Sequence, residues 1–157
     1  MRNTSSDFPL ALYFESACPL CNAEMAALRA RDVHERLRFV DVSAPGFAAP
    51  AGTTLPALLA AIHGRCADGR WVRGMEAMRL AYAAVGLGWL LAPTAWPLLR
   101  PAFDRTYAWF ARHRHAMPRW FVRAKAGLLT AGAPPALARD ARAAAASARC
   151  TDSSCSH

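Results

Sequence analysis

The sequence predicts an α/β fold, in which a small sheet is built around a strand–helix–strand unit and followed by more helices. Two apolar runs of strand length, Leu10–Phe14 and Leu37–Val42, flank a segment rich in alanine, leucine and methionine. This spacing is typical of parallel strands joined by a right-handed helical crossover. Farther on, Asp68-Gly69 between two short apolar runs indicates a hairpin turn. At 157 residues, the chain is long enough to bury a full core.

The first part of the chain is predicted to form a strand, a helix and a second strand. Leu10–Phe14 is an unbroken apolar run, as expected of a buried strand. Asn22–Arg31 consists largely of alanine, leucine, methionine and arginine, which favour helices. Leu37–Val42 is the second strand, and Ser43-Ala44-Pro45-Gly46 ends it.

A helix, a hairpin and another helix are predicted next. Leu55–Ala61 is a short helix. Ile62–Cys66 and Trp71–Arg73 are short strands, and Ala67-Asp68-Gly69-Arg70 between them contains the turn signal. Met75–Val85 forms the last of these helices. The resulting order, βαβ–α–ββ–α, is that of a thioredoxin-like domain.

An uncharged stretch of twenty residues, Leu80–Leu99, overlaps the end of that helix. Its length alone would allow it to span a bilayer, but two glycines and two prolines interrupt it. We therefore predict two short packed helices and a turn. In the following segment, Ala102–His115, the side chains of Phe103, Tyr107 and Phe110 lie at helical spacing, which is typical of core packing.

Composition divides the chain into three parts. Residues 8–85 form the predicted α/β core, and residues 86–130 form an all-helical extension packed on it. Within the extension, Pro118–Leu129 combines aromatic and basic side chains in the manner of an interfacial helix. Alanine and serine predominate after residue 131, so residues 131–157 are predicted to be a flexible tail.

Positive charge is concentrated toward the C-terminus. The net charge is +8 at pH 7, and residues 100–149 carry ten basic residues against two acidic ones. Such a segment suits anionic lipid, nucleic acid or an acidic protein, but a solvated helical face is the simpler interpretation. We predict no nucleic-acid partner. A weak membrane-surface contact through Leu80–Leu99 and Pro118–Leu129 is the alternative.

Cysteine usage and the N-terminus favour a cytoplasmic protein. The five cysteines are odd in number and include one tight pair in the predicted core, unlike a secreted disulfide framework. Phe8–Phe14 is too short for the apolar region of a signal peptide, and Glu15 interrupts it. We therefore expect a cytoplasmic location, with the membrane surface as the alternative.

Cys18-Pro19-Leu20-Cys21 is the motif that carries a chemical function. A C-x-x-C between a strand and a helix is typical of a dithiol redox centre, and the helix N-terminus favours a thiolate at Cys18. Cys18 is therefore the expected nucleophile, and Cys21 the thiol that resolves the mixed disulfide. Since Cys21, Met25 and Leu28 share one helix stripe, Cys21 is expected to point inward and Cys18 to lie at the exposed end. Thiols and disulfides, of proteins or small molecules, are the expected partners, and no cofactor is predicted.

Zinc binding is the alternative chemistry for the same two cysteines. A tetrahedral site would need two further ligands. The candidates for these ligands are Cys66, His63, Cys150, Cys155 and His157. Because Cys150 and Cys155 make a weak second half-site on a predicted flexible tail, we predict no metal.

Two carboxyl groups lie near the dithiol in the predicted fold. Glu15 precedes Cys18 by three residues. If burial raised its pKa, Glu15 would exchange a proton with Cys21; an exposed Glu15 would only complement the helix dipole. Both roles stay open at this point. Asp41, at the end of the second predicted strand, is a candidate for similar proton exchange, but a surface role is the simpler interpretation.

These motifs resemble the DCC family of thiol–disulfide oxidoreductases, named for an Asp-x-x-Cys-x-x-Cys signature. The resemblance extends from Ala11 to Arg114. Its segments are Cys18-Pro19-Leu20-Cys21, Leu37–Ser43, Ile62-His63, Asp68-Gly69-Arg70, Gly74–Ala77 and Tyr107–Arg114. It implies a small thioredoxin-like redox protein with a helical C-terminal extension.

The chain departs from this family's pattern at two positions. Glu15 stands where the family has aspartate, which keeps the carboxyl group but lengthens its reach. Ser16 stands where the family commonly has glycine. A serine is less flexible than a glycine, so this change stiffens the backbone that leads to the dithiol. Thioredoxin-like folds also usually place a cis-proline against the dithiol. Pro56 lies too far before Ile62 to be assigned that role, which is left open.

Overall fold

In the computed structural model, which describes residues 5–113, a four-stranded sheet has helices on both faces. The elements are β1 (Leu10–Phe14), α1 (Pro19–Arg29), β2 (Leu37–Asp41), α2 (Leu55–Ala60), β3 (His63–Arg65), β4 (Trp71–Arg73), α3 (Met75–Ala84), α4 (Gly88–Leu91) and α5 (Arg100–His113). Two 3₁₀ turns lie at Ser5–Asp7 and Ala92–Ala95. The fold is mixed α/β, as the sequence predicts.

The strand order is β2-β1-β3-β4. β1 pairs in parallel with β2 and antiparallel with β3, and β4 pairs antiparallel with β3. The predicted parallel pair and the predicted hairpin are both confirmed. Because β1 lies between two strands and is covered on both faces, every position in it tolerates an apolar residue, which explains its unbroken apolar sequence.

Two hydrophobic clusters lie on opposite faces of the sheet. The larger joins Leu10 and Leu12 of β1 to Met25 of α1 and Leu80 of α3. The smaller contains Tyr13, Val42 and Leu58, and the last of these belongs to α2. Successive β1 side chains therefore alternate between the α1/α3 face and the α2 face.

The first helix begins three residues earlier than the predicted Asn22 and ends at Arg29 rather than Arg31. Cys18 is its N-cap in an extended conformation, and Pro19 occupies the first turn, where its missing N–H costs no intrahelical hydrogen bond. The other core elements match the predicted ones to within one residue at each end.

The helices that follow α3 are attached by a buried arginine. Arg79 is 3% exposed, and its guanidinium donates to the Thr94 hydroxyl at 2.8 Å and to the Thr94 carbonyl at 2.6 Å. It also contacts Asp104 of α5 at 3.3 Å. α4 and the following 3₁₀ turn confirm two short helical segments within Leu80–Leu99.

The predicted core packing of α5 is confirmed for only part of its aromatic stripe. Tyr107 packs against the larger cluster, whereas Phe103 is exposed because it lies toward the outer side of the helix. The helix Pro118–Leu129 and the tail 131–157 lie outside the described residues. The boundaries at 8–85 and 86–130 stay predictions.

Candidate active site

The two cysteines of the motif lie where β1 passes into α1. The Cys18 N–H donates to the Glu15 carbonyl at 3.3 Å, which closes a tight turn after the strand. The Cys18 carbonyl accepts from the N–H of Asn22 at 3.0 Å, so the helix starts immediately after the first cysteine. Cys18 therefore lies at the helix N-terminus, where the macrodipole favours a thiolate.

The prediction that Cys18 is exposed and Cys21 points inward is wrong. Cys18 is 0% exposed, whereas Cys21 is half-buried. The buried side of α1 comprises Leu20, Glu24, Met25, Ala27 and Leu28. Cys21 lies at the margin of this stripe and in the first turn, so it reaches solvent more easily than the covered N-cap residue.

Asp41 anchors the loop that leads to the dithiol. Its Oδ1 accepts hydrogen bonds from the Ser16 N–H at 3.2 Å, the Ser43 N–H at 2.9 Å and the Ser43 hydroxyl at 2.6 Å. Burial alone would raise the pKa of Asp41, but these hydrogen bonds outweigh it and lower the pKa below its usual value. Asp41 is half-buried, and its carboxylate holds Ser16 two residues before Cys18, a contact that the predicted surface role did not include.

Glu15 is half-buried and follows β1 directly. Its carbonyl closes the turn to Cys18, as described above. The position agrees with the expected end of the strand, and the role of its carboxyl group stays a prediction.

A buried carboxyl group on α1 has no counterpart in the sequence prediction. Glu24 is 5% exposed and lies three residues after Cys21, so the two side chains are neighbours on the helix. The Tyr82 hydroxyl of α3 donates to Glu24. Burial, reinforced by the Glu24 carboxylate, raises the pKa of Tyr82. In the sequence, the buried position of Glu24 is indicated only by its place on the apolar stripe of α1, four residues after Leu20 and four before Leu28.

The ends of all four strands form one edge of the sheet beside the dithiol. Asp41 is paired with Phe14. The β1–β3 register brings Ile62 opposite Phe14, and the Gly74 N–H donates to the Ile62 carbonyl at 2.9 Å. Cys18 follows Phe14 by four residues, so it rises from the same edge.

The two residues that connect α2 to β3 include no proline, and Pro56 lies in the first turn of α2. Within residues 5–113, the cis peptide bond is Phe8-Pro9, at the opposite end of β1 from the dithiol. At the end of the sheet that carries the dithiol, the neighbouring side chain is that of Tyr107 of α5. Its hydroxyl accepts from the Ile62 N–H at 3.3 Å. A Cβ atom on Gly74 would lie 3.2 Å from the Tyr107 ring, so this close approach favours glycine.

The described residues do not bring together the ligands of the zinc alternative. Across residues 5–113, no three His, Cys, Asp or Glu side chains form a group that could hold a metal ion. Cys66 is buried just after β3, at the end of the sheet away from Cys18, and burial raises the pKa of its thiol. His63 is also buried, and burial lowers the pKa of its imidazole. Cys150, Cys155 and His157 lie outside the described residues.

Large apolar side chains are exposed between α3 and α5. Trp89 is 71% exposed, Trp96 68% and Leu98 93%. In the part of the chain that the structure describes, every helix is too short or too polar to cross a membrane.

Comparison with known proteins adds a family-level similarity. Residues 12–120 match the model of the DCC1-like thiol-disulfide oxidoreductase family. An uncharacterised chloroplast protein of Arabidopsis thaliana is 30% identical over 111 residues, which cover 69% of this chain and 52% of the relative. The chain thus spans about half the length of this curated relative. No solved structure matches the chain.

Proposed function

The chain belongs to the DCC1-like thiol-disulfide oxidoreductase family, and on that premise we propose that it exchanges disulfides through Cys18 and Cys21. The observation that carries the proposal is the placement of Cys18 as N-cap of α1, in the short turn that follows the inner strand β1. We further propose that the core is thioredoxin-like. The strand order β2-β1-β3-β4 and the parallel β1–β2 pair support this assignment.

The proposed reaction proceeds in two exchange steps. The Cys18 thiolate attacks one sulfur of a substrate disulfide; a mixed disulfide forms, and the first substrate thiolate leaves and takes a proton. The Cys21 thiolate then attacks the Cys18 sulfur and releases the second substrate thiol. The substrate gains two electrons and two protons, while Cys18 and Cys21 become a disulfide that an external thiol must reduce.

Glu15 is the proposed proton acceptor for Cys21 in the second step. It is half-buried at the strand end that carries the dithiol. Protein disulfides and small disulfides are both proposed substrates.

The burial of Cys18 bears directly on the order of attack. Because Cys18 is covered, a substrate reaches its sulfur only after the residues around it move, whereas Cys21 is already partly accessible. The helix N-terminus favours attack by Cys18, and exposure favours attack by Cys21.

Trapping of the mixed disulfide distinguishes these two orders. Cys18→Ser and Cys21→Ser are each mixed with a disulfide that carries a chromophore, and the adduct is located by mass spectrometry. We expect Cys21→Ser to accumulate an adduct on Cys18, and Cys18→Ser to react at least tenfold more slowly. A faster adduct on Cys21 would reverse the roles. Wild-type protein that fails to accelerate reduction of insulin or of a small disulfide by dithiothreitol would refute the proposed function.

A second proposed function is peripheral contact with an anionic membrane surface. The exposed Trp89, Trp96 and Leu98 favour it, because tryptophan is enriched at membrane interfaces. The exposed arginines of α5 supply positive charge next to this apolar segment. Sedimentation with anionic vesicles should fall when Trp89 and Trp96 are both replaced by alanine, and when salt is raised. No binding of the wild-type protein to these vesicles would refute this contact.

A further inference from the structure

The edge of the sheet that carries the dithiol also forms one wall of a groove. Ala60 and Ala61 lie just before β3, and Arg73 and Gly74 lie at the end of β4, on this edge. Neighbouring strands are separated by ~4.8 Å, so the end of β4 is ~10 Å from the end of β1. A ligand the size of a short peptide would span that distance. The groove is therefore within reach of a molecule that reacts at Cys18 or Cys21.

The opposite wall of the groove is α5. The groove between α5 and the sheet has a volume of about 590 Å³. Tyr107 holds α5 to the sheet through the hydrogen bond from the Ile62 N–H, and the small side chains Ala108 and Ala111 keep the space between them open. The groove is thus a product of the way α5 crosses the edge of the sheet.

The groove carries an excess of positive charge. Four arginines line it, Arg73, Arg79, Arg100 and Arg112, against the two carboxylates of Glu76 and Asp104. Both carboxylates are already engaged: Glu76 lies 3.3 Å from Arg70, which is outside the groove, and Asp104 lies 3.3 Å from Arg79 and 3.7 Å from Arg100.

Arg73 and Arg112 remain available to a ligand. Both are exposed, and within residues 5–113 neither forms an ion pair. They project from different elements, β4 and α5, on either side of the same groove. Two guanidinium groups placed in this way suit carboxylates, to which arginine donates paired hydrogen bonds.

We propose that this groove binds the carboxylates of disulfide or thiol substrates the size of a short peptide and so presents their sulfur to the dithiol. The inference rests on the proposed thiol–disulfide exchange and names its preferred substrate class. Substrates with carboxylates ~10 Å from the sulfur, as in a short peptide, are favoured over uncharged ones. The preference is expected to weaken as salt is raised, because the two arginines are exposed to solvent.

The test compares two disulfides that differ in charge. Rates of exchange are measured with the disulfide-linked dimer of acetyl-Cys-Gly-Glu-amide, which has two carboxylates, and with that of acetyl-Cys-Gly-Gln-amide, which has none. The ratio of these rates is then compared between variants, so that the intrinsic reactivity of each disulfide cancels. We expect the ratio to fall about 1.5- to fivefold in Arg73→Gln and in Arg112→Gln, as for exposed ion pairs. Arg73→Lys should retain more of the ratio than Arg73→Gln.

Arg105→Gln is the matched control, because Arg105 is an exposed arginine of α5 that does not line the groove. It should leave the ratio unchanged. Equal ratios in Arg73→Gln, Arg112→Gln and Arg105→Gln would overturn the groove proposal.

Binding without chemistry separates this proposal from the proposed function. Calorimetric titration of the acetyl-Cys-Gly-Glu-amide disulfide into Cys18→Ser/Cys21→Ser measures the groove alone. Binding that Arg73→Gln abolishes, in a protein whose wild type exchanges neither disulfide, would refute the redox function and retain the groove. Exchange of both disulfides with no binding and no charge preference would refute the groove and retain the function.

Discussion

Replacing Tyr82 by phenylalanine tests the buried hydrogen bond that connects α1, the helix of the dithiol, to α3. The change removes one hydroxyl group and leaves the ring, so packing is nearly conserved. Tyr82 and Glu24 are both 5% exposed, and the hydroxyl donates directly to the carboxyl group. Removing the donor leaves Glu24 without that hydrogen bond in a buried site, at a cost of about 1–3 kcal/mol. For a chain of this size, Tm should fall by ~2–12 °C.

The measurement is urea unfolding followed by far-UV circular dichroism, with Tyr13→Phe as the matched control. Tyr13 is 7% exposed, but its hydroxyl forms no hydrogen bond within residues 5–113, so its loss should change the unfolding free energy by less than ~0.5 kcal/mol. The double variant Tyr82→Phe/Glu24→Leu removes both partners, and it should be more stable than Tyr82→Phe alone. If Tyr82→Phe were as stable as Tyr13→Phe, the hydrogen bond would contribute nothing to the fold.

The same variant makes a separate prediction at alkaline pH. The pKa of Tyr82 is raised in the folded state above its ordinary value of 10.0. The stabilisation is therefore fully present below pH 10 and is lost as pH rises toward the folded-state pKa. Wild-type protein should lose stability between pH 9 and pH 11 more steeply than Tyr82→Phe. Parallel pH profiles would contradict the raised pKa.

Glu15→Gln should slow resolution of the mixed disulfide by Cys21 by about 10²-fold or more if Glu15 accepts the proton; rapid-mixing kinetics measure this step, and an unchanged rate would leave Glu15 as a charge near the helix end. Asp41→Asn should be less sensitive to acid than wild type. The lowered pKa of Asp41 stabilises the fold above pH 3.8, and this contribution is lost as pH falls. Unfolding by urea at pH 7 and pH 3 measures the difference, and equal losses in the two proteins would contradict it. His63→Phe should remove a second pH dependence. Because the pKa of His63 is lowered from 6.5, wild-type stability falls as pH decreases below that value, and a variant with the same acid profile would exclude His63 as its source.

The core elements were predictable because their signals are local. Leu10–Phe14 is apolar throughout, and Asp68-Gly69 supplies the positive φ that the hairpin turn requires, since Gly69 has a φ of 84°. Composition marked α1 only from Asn22, because Cys18 caps the helix without a side-chain hydrogen bond and none of the usual capping residues marks the position.

The candidate site was predictable only in part. The cysteines and their place between strand and helix follow from sequence spacing, but their relative exposure does not. The helical spacing of Cys21 with Met25 and Leu28 predicted that Cys21 points inward. The burial of Cys18 depends instead on tertiary contacts around the end of β1. The family assignment agrees with the resemblance over Ala11–Arg114. The roles of Cys18, Cys21 and Glu15 and the cytoplasmic location stay predictions.

The sequence by itself determined the order of strands and helices, the C-x-x-C at the start of α1 and the family to which the chain belongs. These features depend on residues close together in the chain. Only the tertiary structure decided that Asp41 holds the loop before the dithiol, that Glu24 meets Tyr82, and that α5 crosses the edge of the sheet. Each of these contacts joins residues 25 to 58 positions apart. Such contacts arise from how helices settle on the sheet, and no local pattern in the sequence encodes that arrangement.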